Sequence, residues 1–266
     1  MRLDKYLSEA SIGRRKAVRQ FIKEGKVLVN GCVQIVPATE IDEYKDDIEY
    51  EGEKVLHSGK VYYMFHKPAG CITARKDEKD KTVMDFFQEL DNNGLFPVGR
   101  LDKDTEGLLF ITNDGVFNHE IMYPEKHVDK TYFFWAFGEL SKDKMASLVN
   151  GLYLENNGVL VKASKIEIHK QGLFGELQDQ IQGNGFEKVK KNRDVQPVVS
   201  GSITISQGCK HQVKRMLKAV GCYIIYLKRV SIGKVILDET LEKGSYRNLT
   251  IEEIKSLISK GNSNVS

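Results

Sequence analysis

The feature that most constrains this chain is a change of periodicity close to Lys60. Before it, apolar residues recur at helical spacing; after it, they come in short β-prone runs separated by turn residues. A chain of 266 residues is long for one compact core and comfortable for two. The expected architecture is a small domain over residues 1–59 followed by a larger one over 60–266. Strand runs with few helices make the larger domain α+β, with a mostly antiparallel mixed sheet.

In the first module Leu3, Leu7 and Ala10, with Tyr6 beside them, predict a short helix. A second helix follows, with Gly13 as its N-cap and Ala17, Val18, Phe21 and Ile22 as its apolar stripe. Gly25 stands where a left-handed C-terminal residue belongs. Arg15, Arg19 and Lys23 are spaced by four and share one face; Lys16 and Lys26 flank it and Arg14 precedes it. Asn30-Gly31, between Val29 and Val33, is a strong hairpin turn.

The net charge is only +3, but an acidic stretch from Glu40 to Glu53 hides a positive first module. A basic helix face is often no more than a solvated surface. The hairpin behind it favours a phosphate-binding surface instead. Helix, basic helix and G-K-V-x-V-N-G hairpin together resemble the S4 RNA-binding domain over about Met1 to His57, with Gly13 where that family usually has Ser. The resemblance implies that Arg14, Arg15, Lys16, Arg19 and Lys23 contact RNA.

Beyond Lys60, strands are expected at Val61–Phe65, Leu108–Thr112, Thr131–Phe137, Val159–Ile168, Ser202–Ser206 and Cys222–Leu227. A helix should run from about Lys210 to Val220, and Thr250 with Glu253 has the spacing of a capping box. Residues 170–194 are polar and Gly-rich, with basic residues at Lys188, Lys190, Lys191 and Arg193, and are expected to form a surface insertion.

The segment from Gly99 to Leu109 lies between two apolar runs, so it should carry charged side chains out of a rigid sheet. Asp102, Asp104 and Glu106 followed by Gly107 also look like the start of a calcium loop. Counting argues against that reading, because the twelfth position is Asn113 rather than Glu and no exiting helix pattern follows. A loop aspartate in isolation is usually a turn former.

G-R-L-D-x-x-T-x-G-L-L at Gly99–Leu109 resembles the signature loop of pseudouridine synthases of the RsuA and RluB/RluE/RluF group. Other elements follow in that family's order: Lys67-Pro68-Ala69-Gly70, Lys130-Thr131-Tyr132, His211-Gln212-Val213-Lys214-Arg215-Met216, and Gly244-x-x-Arg247-x-Leu249. His66 stands where the family commonly has Asn. The resemblance implies that Asp102 attacks uridine, that Lys214 keeps it ionised with Arg215 as the near alternative, and that Tyr132 stacks on the target base. Leu227 would wall the uridine pocket, and Arg100 would order the loop or hold RNA.

The same resemblance implies an isomerase that uses no cofactor. The six histidines and four scattered cysteines show no metal-ligand spacing. No apolar run approaches a membrane span, and the opening residues show no signal region, so a cytoplasmic monomer is expected. Within the family, the opening M-R-L-D-K-Y, Pro124–Tyr132 and Tyr246–Thr250 look most like the small-subunit enzyme, implying 16S ribosomal RNA or an assembling 30S subunit as partner. Large-subunit RNA or tRNA is the alternative substrate. A non-catalytic RNA-binding assembly protein is the alternative class.

Overall fold

The computed structural model describes residues 1–10, 12–43, 45–55, 59–88, 94–154, 158, 160–181 and 193–258. The chain divides into two compact units, one of Met1–Val61 with Phe87–Phe96 and Thr112–Asp114, the other of the remaining residues.

In the first unit, α1 (Leu3–Glu9) and α2 (Arg15–Lys23) pack beside β1 (Val27–Val29), β2 (Cys32–Gln34), β3 (Ile48–Tyr50) and β4 (Glu53–Lys54). The strands are ordered β2-β1-β3-β4. Leu3, Leu7, Val18, Ile22, Val27 and Ile48 are fully buried and form the core. The hairpin turn has positive φ at both Asn30 and Gly31, the geometry whose twist matches the flanking strands. Beyond it Val33 and Ile35 are exposed, not buried. Arg14, not Gly13, is the N-cap of α2: its backbone is extended and its carbonyl accepts from Val18 N–H.

Arg14, Arg15, Lys16, Arg19 and Lys23 are all exposed, as a phosphate surface requires. Two of them are anchored from below. The fully buried Asp4 carboxylate accepts from Arg2 (3.0 Å) and Arg19 (2.8 Å) and pairs with Arg15 at 3.5 Å. Burial pushes this carboxyl up, but the hydrogen bonds from Arg2 and Arg19 and the charge of Arg15 outweigh it and hold the pKa at about 2. A folded pKa below the unfolded value gives stability that is present above about pH 4 and lost as pH falls toward 2. Asp4→Asn is therefore expected to cost about 1–2 kcal/mol at neutral pH, the half-exposed arginines screening the rest. Denaturant unfolding at several pH values checks it: the gap to wild type should close below pH 4.

The second unit is built on one large sheet, with a separate two-stranded ribbon of Leu152–Tyr153 and Leu160–Val161. Its elements are β5 (Tyr62–Lys67), β6 (Phe96–Val98), β7 (Glu106–Thr112), α3 (Gly115–Met122), β8 (Lys130–Phe137), α4 (Lys142–Asn150), β9 (Leu152–Tyr153), β10 (Leu160–Val161), β11 (Lys165–Leu173) and α5 (Phe174–Leu177). There follow β12 (Pro197–Ile205), α6 (Gln212–Ala219), β13 (Tyr223–Ile232), β14 (Val235–Ile236), β15 (Tyr246–Asn248) and α7 (Ile251–Ile258). The sheet runs β11-β12-β8-β13-β7-β5-β15. Pairs β11–β12, β12–β8, β8–β13 and β15–β5 are antiparallel and β13–β7 is parallel, which makes the sheet mixed and mostly antiparallel. Met64, Leu108, Phe110, Phe117, Ile121 and Leu257 form one buried cluster. Thr250 and Glu253 make the reciprocal capping box of α7, at 2.8 and 3.1 Å.

Two expectations need correction. Lys170–Leu173 belong to β11 and pair with β12, and Phe174 is buried, so the surface insertion does not begin at 170. The polar composition misled because β11 is an edge strand, where alternate side chains face solvent. Lys188, Lys190 and Lys191 lie outside the described residues. Helix α3 does follow the acidic loop. The calcium reading still fails, because Glu106–Thr112, which would be positions 5–11 of the loop, is a fully buried strand.

Candidate active site

Between β6 and β7 the chain forms a loop, Gly99–Thr105, held from several sides. Thr73 Oγ1 donates to Leu101 O (2.8 Å) and accepts from Leu101 N–H (3.1 Å). Gly70 N–H donates to Lys103 O at 2.7 Å. Lys67 is fully buried at the end of β5, and its ammonium donates to the carbonyls of Pro68 (3.0 Å), Asp102 (3.1 Å), Lys103 (3.5 Å) and Thr105 (2.9 Å). Burial pulls its pKa down, and the nearby carboxylates oppose that shift. The signature's glycine has a separate reason. β7 lies parallel to β13 with Gly107 opposite Arg229, and a Cβ on Gly107 would sit 2.2 Å from Arg229 O.

The loop presents Asp102 to the start of α6. Lys214 Nζ lies 2.9 Å from Asp102 Oδ2 and 2.5 Å from Asp104 Oδ1, so one ammonium bridges two carboxylates. Burial depresses Lys214, but the hydrogen bonds to Asp104 and Asp102 outweigh it and raise its pKa. His211 takes a left-handed backbone (φ 53°) ahead of α6 and brings Nε2 to 3.4 Å from Asp102 Oδ1. Asp102 remains 27% exposed, so the carboxylate is paired yet open to a ligand.

These groups border a cleft of about 720 Å³. Its floor is the face of β8 and β13 that carries Lys130, Tyr132, Leu227 and Arg229, all nearly buried. Tyr132 and Arg229 are register partners, and Arg229 Nη1 lies 3.5 Å from Tyr132 Oη. Arg100 is exposed at the border. The cleft thus joins an open carboxylate, a cation beside it and an aromatic ring, in a space of the size that takes a small planar ligand.

Asp102, Lys214, Tyr132, Leu227 and Arg100 are therefore brought together as expected. Arg215 is not: it is half-buried and does not border the cleft. Successive helix residues point about 100° apart, so turning Lys214 toward the loop turns Arg215 away. Arg247, in the C-terminal signature, holds Asp238 (2.8 Å) and Glu253 (2.9 Å). Sequence reasoning passed over His211, Lys130 and Arg229 as site residues. Their positions two residues from Tyr132 and Leu227, on the same strand faces, were the available signal for the last two.

A family model described as RNA pseudouridylate synthase matches residues 61–219. The chain belongs to this RNA pseudouridine synthase family. An S4 domain model matches residues 1–34 of the synthase. It is 37% identical over 262 residues to YtzG of Bacillus subtilis, described as an uncharacterized RNA pseudouridine synthase, covering 97% of this chain and 98% of that one. The ribosomal small subunit pseudouridine synthase A of Vibrio cholerae is 33% identical over 257 residues, with 97% and 99% covered. The ribosomal large subunit pseudouridine synthase B of Bacillus subtilis is 34% identical over 257 residues, with 96% and 95% covered. A crystal structure of a pseudouridylate synthase superposes with a TM-score of 0.62 at 30% identity, over 97% of this chain and 99% of that one.

Proposed function

We propose that this synthase isomerises one uridine of 16S ribosomal RNA, free or in an assembling small subunit, with Asp102 as its nucleophile. The observation that carries the reading is the Asp102 carboxylate, paired with Lys214 at 2.9 Å and still open to the cleft. A carboxylate attacks only when ionised, and an adjacent ammonium favours that form. The Tyr132 ring offers a surface for a base taken out of its stack, with Leu227 beside it as pocket wall. Residues 1–59 would hold RNA through Arg14, Arg15, Lys16, Arg19 and Lys23, and residues 60–266 would carry out the reaction. The protein acts as a cytoplasmic monomer without a metal or organic cofactor in this reading; among the described residues no helix is long and apolar enough to cross a membrane.

The small-subunit choice rests on the opening, Pro124–Tyr132 and Tyr246–Thr250 segments. The 34% identity to a large-subunit synthase favours 23S RNA as the second reading. Mapping pseudouridine in 16S and 23S RNA, each free and in assembling particles, decides between them after incubation with the protein. One new site in 16S RNA is the expected result, and one in 23S RNA would transfer the assignment.

RNA affinity should be strongly salt-dependent. About five phosphate contacts give a slope of about −4 for log affinity against log salt. Arg15→Gln with Arg19→Gln should reduce that slope by about 1–2 and weaken binding to all RNAs alike. Filter binding across a salt series measures it; an unchanged slope would remove this helix from the RNA surface.

A further inference from the structure

The floor of the cleft holds two cations that no carboxylate contacts among the described residues. Arg229 is 2% exposed; its Nε donates to Leu108 O at 2.7 Å and its Nη1 lies 3.5 Å from Tyr132 Oη. Its Nη2 is buried and has no partner among the described residues. Lys130 is 6% exposed, and its ammonium donates to Val128 O at 2.8 Å. Both border the cleft. Burial and the Arg229 charge pull the Lys130 pKa down to about 8, and Asp129 opposes them only weakly. The buried carboxylate of Glu106, by contrast, holds Lys243 at 2.8 Å and Tyr226 at 2.9 Å.

Buried positive charge without a counterion is unfavourable until negative charge arrives. It is also the arrangement that favours a transition state over its ground state, when the negative charge appears during the reaction. Position selects the source of that charge. The pair is nearly buried on the strand face that carries Tyr132, the ring proposed to receive the base, whereas Arg100 and Lys103 stand exposed at the border of the cleft, open to a charged backbone.

We propose that Arg229 and Lys130 are a cationic floor that stabilises the electron pair left on uracil when its glycosidic bond breaks. The inference rests on the Asp102 reading above. As an Asp102 oxygen bonds to C1′, the C1′–N1 bond breaks and its electron pair stays on the ring, spread over N1, O2 and O4. The ring then bonds through C5 and Asp102 leaves as a carboxylate. C5 loses a proton and N1 gains one, so substrate and product are isomers and no oxidant or reductant is required.

The test compares Arg229→Met, Arg229→Lys and Lys130→Met with wild type, on ribosomal RNA transcripts carrying either uridine or 5-fluorouridine. Single-turnover loss of the target nucleoside is followed beside RNA affinity and thermal melting. Fluorine withdraws electrons from the ring and stabilises the anion without help from the protein. Arg229→Met should slow uridine cleavage by about 100-fold with affinity within a few-fold, and the deficit should shrink on 5-fluorouridine. Arg229→Lys, which keeps the charge, should recover part of the rate. If Arg229→Met does not fold, Lys130→Met carries the test, because its ammonium makes a single hydrogen bond, to a backbone carbonyl, among the described residues. Equal deficits on both substrates, or a loss confined to affinity, would overturn the proposal. A wild-type protein that modifies no RNA would instead overturn the Asp102 reading, and this inference with it.

Discussion

Asp102→Asn is expected to abolish pseudouridine formation while leaving RNA affinity within a few-fold and the melting temperature nearly unchanged. The side-chain volume hardly differs, and the loop is held by backbone contacts that asparagine keeps: Thr73 on Leu101, Gly70 on Lys103 and Lys67 on the carbonyl of residue 102 itself. What disappears is the negative charge. An amide is a poor nucleophile, and loss of a group central to the reaction commonly costs more than about a thousand-fold in kcat. Lys214 would retain Asp104 as partner, so the substitution does not leave an unpaired ammonium in the cleft. Rapid-quench assays on the mapped RNA, with binding measured in parallel, check the result. Turnover within ten-fold of wild type would remove Asp102 as the nucleophile and point to Asp104, the other carboxylate on Lys214.

Local chemistry made much of this molecule readable. The Asn30-Gly31 turn, the basic face of α2, the capping box of α7 and the strand runs are each set by neighbours a few residues away. The cleft is another matter. Arg229 reads as an ordinary strand cation until the pairing of β13 with β8 sets it against Tyr132, and that pairing is a long-range event. His211 reaches Asp102 only because its backbone is left-handed, a conformation that nothing in the residue type announces. Helix α3 was missed because Asn113-Asp114-Gly115 has the composition of a turn, and only Phe117 and Ile121 mark the buried face of the short helix behind it. The Arg215 alternative failed through helix geometry: of two adjacent basic residues, only one can face the loop.

Lys67→Met should also be strongly damaging, though less so than the loss of Asp102, and for a different reason. The methionine fills the same buried volume, so the change isolates the ammonium. That ammonium donates to four carbonyls, three of them in the loop that carries Asp102. Its removal leaves buried acceptors without a donor, at about 1–3 kcal/mol each, less whatever the loop recovers by opening toward water. Opening the loop separates Asp102 from Lys214, and misplacement by about 1 Å can cost about 100-fold in rate. The expected outcome is a kcat lower by about 100-fold with little change in RNA affinity, a lower melting temperature, and faster hydrogen exchange at the Leu101 and Thr105 amides, which are bonded to Thr73 and Asp102. A merely structural lysine would lower the melting temperature and leave both kcat below the transition and those two amides unaltered. That pattern would show that Thr73 and Gly70 hold the loop without Lys67. Faster exchange together with lost turnover would make the buried lysine the group that positions the proposed nucleophile.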